Sequence, residues 1–158
     1  MPNEHEQFMR RAIALAREGA DENLGGPFGC VVVKDGRVVG EGSNQVTSTN
    51  DRTAHAEIVA VREACRNLDS FQLDGCTVYT SCEPCPMCLG AIYWARPERI
   101  FVAGTRADAA MAGFDDDLFY SELAKPNEER QLKMETILRE ESQAVFRHWI
   151  EKPDKVEY

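Results

Sequence analysis

His55-Ala56-Glu57 and, further along, Pro84-Cys85-Pro86-Met87-Cys88 are the residues whose types and spacing can do chemistry. A histidine nitrogen and two thiolates supply three ligands of a tetrahedral zinc, and a site that stops at three keeps one position for water. Glu57 is not needed to complete that set. A carboxylate beside a metal-activated water can take its proton and later return it to a leaving amine, which is what hydrolysis of a C–N bond requires. A lone Cys-x-x-Cys would be a weak signal; His-x-Glu together with Pro-Cys-x-x-Cys is a strong one. The competing arrangement closes a four-ligand structural zinc from His55, Cys82, Cys85 and Cys88, and it would make the chain an interaction module stabilised by metal. It leaves Glu57 without a use.

These residues must be positioned by the elements around them. Phe8, Ala12, Leu15 and Ala16 form one helical stripe within Glu4 to Glu18, with Gly19 as the expected stop. Phe28 to Lys34 and Arg37 to Gly42 flank Asp35-Gly36, a hairpin signal. Ile58, Val61, Cys65 and Leu68 recur at helical spacing, with Thr53 as the expected N-cap, so His55 and Glu57 fall at a helix start. Cys76 to Thr80 reads as a buried strand, and Pro86 suits the first position of a helix over Met87 to Arg96. Ile100 to Ala103 reads as another strand, Thr105 to Asp117 as a functional loop, and Leu118 to Ala124 as a short helix. A strand near Leu132 to Thr136 and a helix from Glu140 to Lys152 complete the pattern. The alternation argues for a layered α/β fold, with a sheet antiparallel at its hairpin edge and parallel elsewhere.

Composition narrows the chemistry. The 158 residues carry 27 acidic and 18 basic side chains, a formal charge of -9, with no clustered basic face of the kind that tracks phosphates. A small neutral or cationic ligand is expected, and no nucleic acid. Cys30, Cys65 and Cys76 sit in apolar runs and read as small buried hydrophobes, while His5 and His148 read as solvated. No apolar run approaches the ~20 residues that span a bilayer, and the first residues form no apolar leader, so a cytoplasmic chain without a membrane partner is expected.

Beyond the metal motif, the chain resembles the cytidine deaminase superfamily, and within it the bacterial guanine deaminases. The likeness runs through Gly25-Gly26-Pro27-Phe28-Gly29, Thr53-Ala54-His55-Ala56-Glu57, Tyr79 to Ala95, Ala112-Gly113-Phe114-Asp115-Asp116 and the terminal Glu157-Tyr158. It implies a three-layer α/β/α fold around a mixed five-stranded sheet, in one deaminase domain over residues 1–158. It further implies one Zn2+ per subunit on His55, Cys85 and Cys88, and conversion of guanine and water to xanthine and ammonia by zinc-bound hydroxide with Glu57 as proton shuttle. By the same resemblance Asn44 and Asp116 would hydrogen-bond the purine, and Phe28 and Trp94 would line the pocket. Residues 121–158 would be exchanged within a homodimer, so that Tyr158 closes the neighbouring site. Adenosine deaminases of tRNA and cytosine or cytidine deaminases share the metal motif and are the alternatives.

Overall fold

The computed structural model describes residues 3–158. The chain divides into two units, residues up to Tyr120 and residues from Ser121 onward. The first begins with α1 (Glu4–Asp21), capped by the Asn3 side chain, which accepts from the Glu6 N–H. Gly19 does not stop this helix; it is buried within it. Strands β1 (Gly29–Lys34) and β2 (Arg37–Ser43) form the expected hairpin, with Asp35 and Gly36 both at positive φ (49° and 71°). One turn of helix, α2 (Val46–Thr49), precedes α3 (Ala56–Leu68), and β3 (Cys76–Cys82), α4 (Pro86–Ala95) and β4 (Arg99–Gly104) follow. The stretch expected as a loop contains a further short helix, α5 (Arg106–Met111), whose capping box pairs Thr105 with Asp108. Helix α6 (Asp117–Ala124) runs across the boundary between the units.

The sheet has four strands in the order β2-β1-β3-β4, not the five expected. Its pairing also differs from the expectation: β1 is antiparallel to both neighbours and only β3–β4 is parallel. The reason is the crossover through α3. It carries the chain from β2 past β1, so β3 runs parallel to β2 and therefore antiparallel to the strand between them. Layers cover both faces. Val31, Val33 and Tyr79 pack with Ala12 of α1 on one side, while Cys30, Val32, Cys76 and Val78 pack with Ala56, Ala60 and Ala64 of α3 and Ile92 and Ala95 of α4 on the other.

Helix α3 lies very close to β2. A Cβ on Gly40 would stand 2.4 Å from the Ala60 carbonyl oxygen, and one on Gly42 would stand 2.5 Å from that of Ala56. Helix backbone thus rests directly on strand backbone. His5 is not solvated: Nδ1 lies 2.7 Å from the Tyr79 hydroxyl, and its ring centroid is 4.6 Å from that of Phe101. His148 is exposed, as expected.

The second unit holds a 3-10 turn (Asn127–Glu129) and α7 (Arg139–Glu151). Leu132 to Thr136 forms no strand, because the backbone of Met134 finds its partners locally. Its N–H donates to Asn127 Oδ1 at 2.7 Å and its carbonyl accepts from Asn127 Nδ2 at 2.9 Å. Among the described residues, no helix is long and apolar enough to cross a membrane.

Candidate active site

Two helix starts supply the metal-ligating set. His55 is the N-cap of α3 and Cys85 the N-cap of α4, both in extended conformation, with Pro86 at the first helical position. His55, rather than Thr53, caps α3 because Thr53 closes a turn on Asp51, accepting no helical bond; its N–H and hydroxyl both donate to Asp51 Oδ1. Each cap carbonyl accepts the first helical N–H, from Val59 and Leu89 respectively. The unsatisfied N–H groups of both helices therefore converge on the site and favour thiolate charge there.

Zinc bonds near 2.3 Å to sulfur and 2.0–2.1 Å to nitrogen, at a tetrahedral angle, put a ligating sulfur about 3.6 Å from a ligating nitrogen. His55 Nδ1 lies 3.6 Å from Cys85 Sγ and 3.4 Å from Cys88 Sγ, and all three ligand atoms lie within 4.8 Å of one another. The three residues fit the metal. Cys82 is nearby but committed elsewhere, its thiol donating to the Thr105 carbonyl at 3.5 Å. The Cys85 thiol is brought down to about 4, chiefly by the Cys88 S–H and secondly by His55, against the cost of burial. Cys88 is pushed up by the same bond and by burial. His55 is raised by its bond to Cys85.

Glu57, in the first turn of α3, is 5% exposed and yet reaches the cavity. Burial pushes its carboxyl up, while bonds from the Cys88 thiol and the Thr80 hydroxyl pull it down. A carboxyl so placed stands within reach of the metal-ligating set and can act as a proton carrier there.

The cavity itself has a volume of about 410 Å³. His55, Glu57 and Cys85 line it together with Phe28, Asn44 and Asp116. Asn44 is oriented by backbone: Oδ1 accepts from Gly26 N–H at 3.3 Å and from Val46 N–H at 3.1 Å, so the amide NH2 is the group left for a ligand. Asp116 is half-buried at the start of α6, and burial raises its carboxyl. Its carbonyl takes the N–H groups of Phe119 and Tyr120.

Two expected residues are not found in the cavity wall. Trp94 is 64% exposed and absent from the lining. Cys88, Ile92 and Ala95 are the buried residues of α4, and a position two residues past Ile92 points to the opposite side of the helix. Tyr158 belongs to the second unit and is 75% exposed. The structure supplies residues that the motifs did not name. Phe114 meets Phe28 edge-on, ring centroids 4.9 Å apart at 85°. Arg106 also lines the cavity; its guanidinium lies 3.9 Å from the Tyr120 ring centroid and 3.0 Å from Asp117, while Tyr120 donates to the Pro84 carbonyl at 3.1 Å. These bonds tie the acidic loop to the segment that carries Cys85. Phe114 was accessible in principle from the Gly-Phe-Asp-Asp run; Arg106 carried no such signal.

Residues 2–104 match the family described as the cytidine and deoxycytidylate deaminase zinc-binding region. The chain belongs to this deaminase family. Within it, the guanine deaminase of Bacillus subtilis (strain 168) is 53% identical over 154 residues, 98% of this chain and 99% of that one. The X-ray structure of guanine deaminase from Bacillus subtilis superposes with a TM-score of 0.95 over 98% of each chain. A guanine deaminase structure from Nitrosomonas europaea is 30% identical, with a TM-score of 0.66 over 89% of this chain and 81% of that one. The tRNA-specific adenosine deaminase of Buchnera aphidicola is 38% identical over 74% of this chain and 77% of its own length. Zinc is the metal of the deaminase family's binding region, and His55, Cys85 and Cys88 are the residues that fit it here.

Proposed function

We propose that this deaminase acts on a free purine base, converting guanine and water to xanthine and ammonia. The observation that carries the reading is the convergence, in one cavity, of Glu57 and the zinc ligands with the Asn44 amide and the Asp116 carboxylate. The extent of the likeness to the Bacillus subtilis guanine deaminase supports it.

Zinc held by His55, Cys85 and Cys88 would supply a Lewis acid that eases ionisation of the attacking water. The chain's residues do the rest. Asp116 accepts from the N–H edge of the base, and the Asn44 NH2 donates to a ring nitrogen or carbonyl. Phe28 and Phe114 pack against the planar ring. Glu57 takes a proton from the attacking water and passes it to the ring nitrogen beside the amine-bearing carbon. The water oxygen bonds to that carbon; the proton still on this oxygen then moves through Glu57 to the amine, the C–N bond breaks, ammonia leaves and the carbonyl of xanthine remains. A site whose polar groups are built for these edges disfavours bases that leave them unpaired. A net charge of -9 ranks a free base above tRNA.

Residues 121–158 are exchanged between two copies of the chain, with Tyr158 completing the neighbour's site. Each unit, taken by itself, supports this with large apolar side chains left in solvent: Tyr93, Ile100 and Val102 in the first, and Ile137, Phe146 and Ile150 in the second. Ammonia release from guanine, guanosine, adenine, cytosine, cytidine and tRNA, with wild type and Glu57→Gln, tests the substrate assignment. Turnover of guanine that vanishes in Glu57→Gln is expected; turnover of tRNA or cytosine without guanine overturns it.

A further inference from the structure

Strand β3 presents Cys76, Val78 and Thr80 at alternate positions, and the first two pack into the apolar cluster beneath α3 and α4. Thr80 continues that stripe at 1% exposure. It lies in the middle of the sheet, opposite Cys30 of β1 and Val102 of β4. Valine has the same shape and would fill the space without a polar atom, so the hydroxyl is the feature that needs a reason. Its oxygen lies 3.1 Å from Glu57 Oε1 and 3.0 Å from the Cys82 carbonyl. A hydroxyl has one proton, and an ionised carboxylate is the stronger acceptor.

We infer that Thr80 is a positioning residue for the proton shuttle: its hydroxyl holds Oε1 of Glu57 against the sheet and leaves the second carboxylate oxygen to face the reacting groups. The inference rests on the proposed guanine deamination. Glu57 reaches the site from the first turn of a helix, and its side chain has three rotatable bonds to fix. Thr80 anchors the far end of that side chain to a strand that is hydrogen-bonded on both sides. Catalysis of proton transfer is sensitive to displacements of about 1 Å, which cost on the order of a hundredfold.

The test uses zinc-loaded wild type, Thr80→Val and Thr80→Ser. For Thr80→Val we expect kcat on guanine to fall roughly ten- to a hundredfold, with KM and zinc per chain unchanged. Thr80→Ser, which keeps the hydroxyl, recovers most of the rate. The Glu57 carboxylate stretch, read as an infrared difference against Glu57→Gln, moves in Thr80→Val and returns in Thr80→Ser. An unmoved band, an unchanged kcat, a Ser variant no faster than Val, or zinc lost in step with activity each overturns the role. A wild type without guanine turnover overturns the proposed function and this role together. Guanine turnover equal in wild type and Thr80→Val overturns the role of Thr80 alone.

Discussion

A Cβ on Gly25 would lie 2.2 Å from Oδ1 of Asn44 and 2.4 Å from its backbone oxygen. The glycine is therefore the surface against which the Asn44 amide is seated, and that amide holds its orientation because no side chain stands there. Gly25→Ala would meet the backbone of Asn44 as well as its side-chain oxygen, so turning the amide away does not relieve the clash. We expect it to destabilise the fold by about 1–3 kcal/mol and to raise KM for guanine about tenfold, as one hydrogen bond to the base is lost. Steady-state kinetics with thermal unfolding checks both; an unchanged KM would remove Asn44 from base recognition.

Removal of zinc should abolish turnover and lower stability together. At a zinc concentration a hundred times its Kd, binding contributes about 2.7 kcal/mol, or roughly 5–10 °C in melting temperature for a chain of this size. Differential scanning calorimetry before and after chelation, followed by zinc add-back, measures it. Cys88→Ser should resemble the stripped protein even with zinc present. A stripped protein that still deaminates would refute the metal assignment.

The bond between Arg11 and Glu41 gives a pH-dependent prediction. Arg11 Nε lies 2.8 Å from Oε1 and its terminal nitrogen 2.9 Å from Oε2, joining α1 to β2. The guanidinium holds the Glu41 carboxyl below its ordinary value. A depressed folded-state value means the stabilisation is fully present above the unfolded carboxylate's pKa of about 4.3 and is lost as pH falls through the lower folded one. Both side chains are partly exposed, so Glu41→Gln should cost no more than about 1 kcal/mol at pH 7. That difference from wild type should disappear in stronger acid. A deficit that persists there points to packing instead.

Much of the active site was legible because metal ligands are particular about residue type and spacing. His55, Glu57, Cys85 and Cys88 each stand at a helix start, where the motif and the proline placed them. Trp94 shows the limit. An aromatic residue in a motif gives no direction, and the buried stripe of Cys88, Ile92 and Ala95 turns Trp94 to the other side of α4. The hairpin was readable from Asp35-Gly36, but the neighbours of β3 were not, since they depend on which side of β1 the crossover from β2 lands. Leu132 to Thr136 alternates like a strand; nothing local announces that Asn127 will take up the hydrogen bonds of Met134.

Exchange of the C-terminal segment can be tested by complementation. Glu57→Gln keeps Tyr158, and a chain lacking Tyr158 keeps Glu57, so each alone should be slow. Unfolded together in equal amounts and refolded, they should pair at random, and about a quarter of all sites should combine both groups. Recovery of roughly that share of wild-type activity, with a dimer in analytical ultracentrifugation, is the expected result. No recovery in a mixed dimer would count against exchange.

The contact of α3 on β2 through Gly40 and Gly42 has a consequence for how this protein can change. With backbone this close to backbone, neither glycine can gain a side chain without displacing the helix that starts at His55 and Glu57. Phe114 and Asp116 line the cavity from a more exposed stretch of chain that is not held in this way. A change in the bases accepted is therefore expected from substitutions at Phe114 and Asp116 rather than at the start of α3.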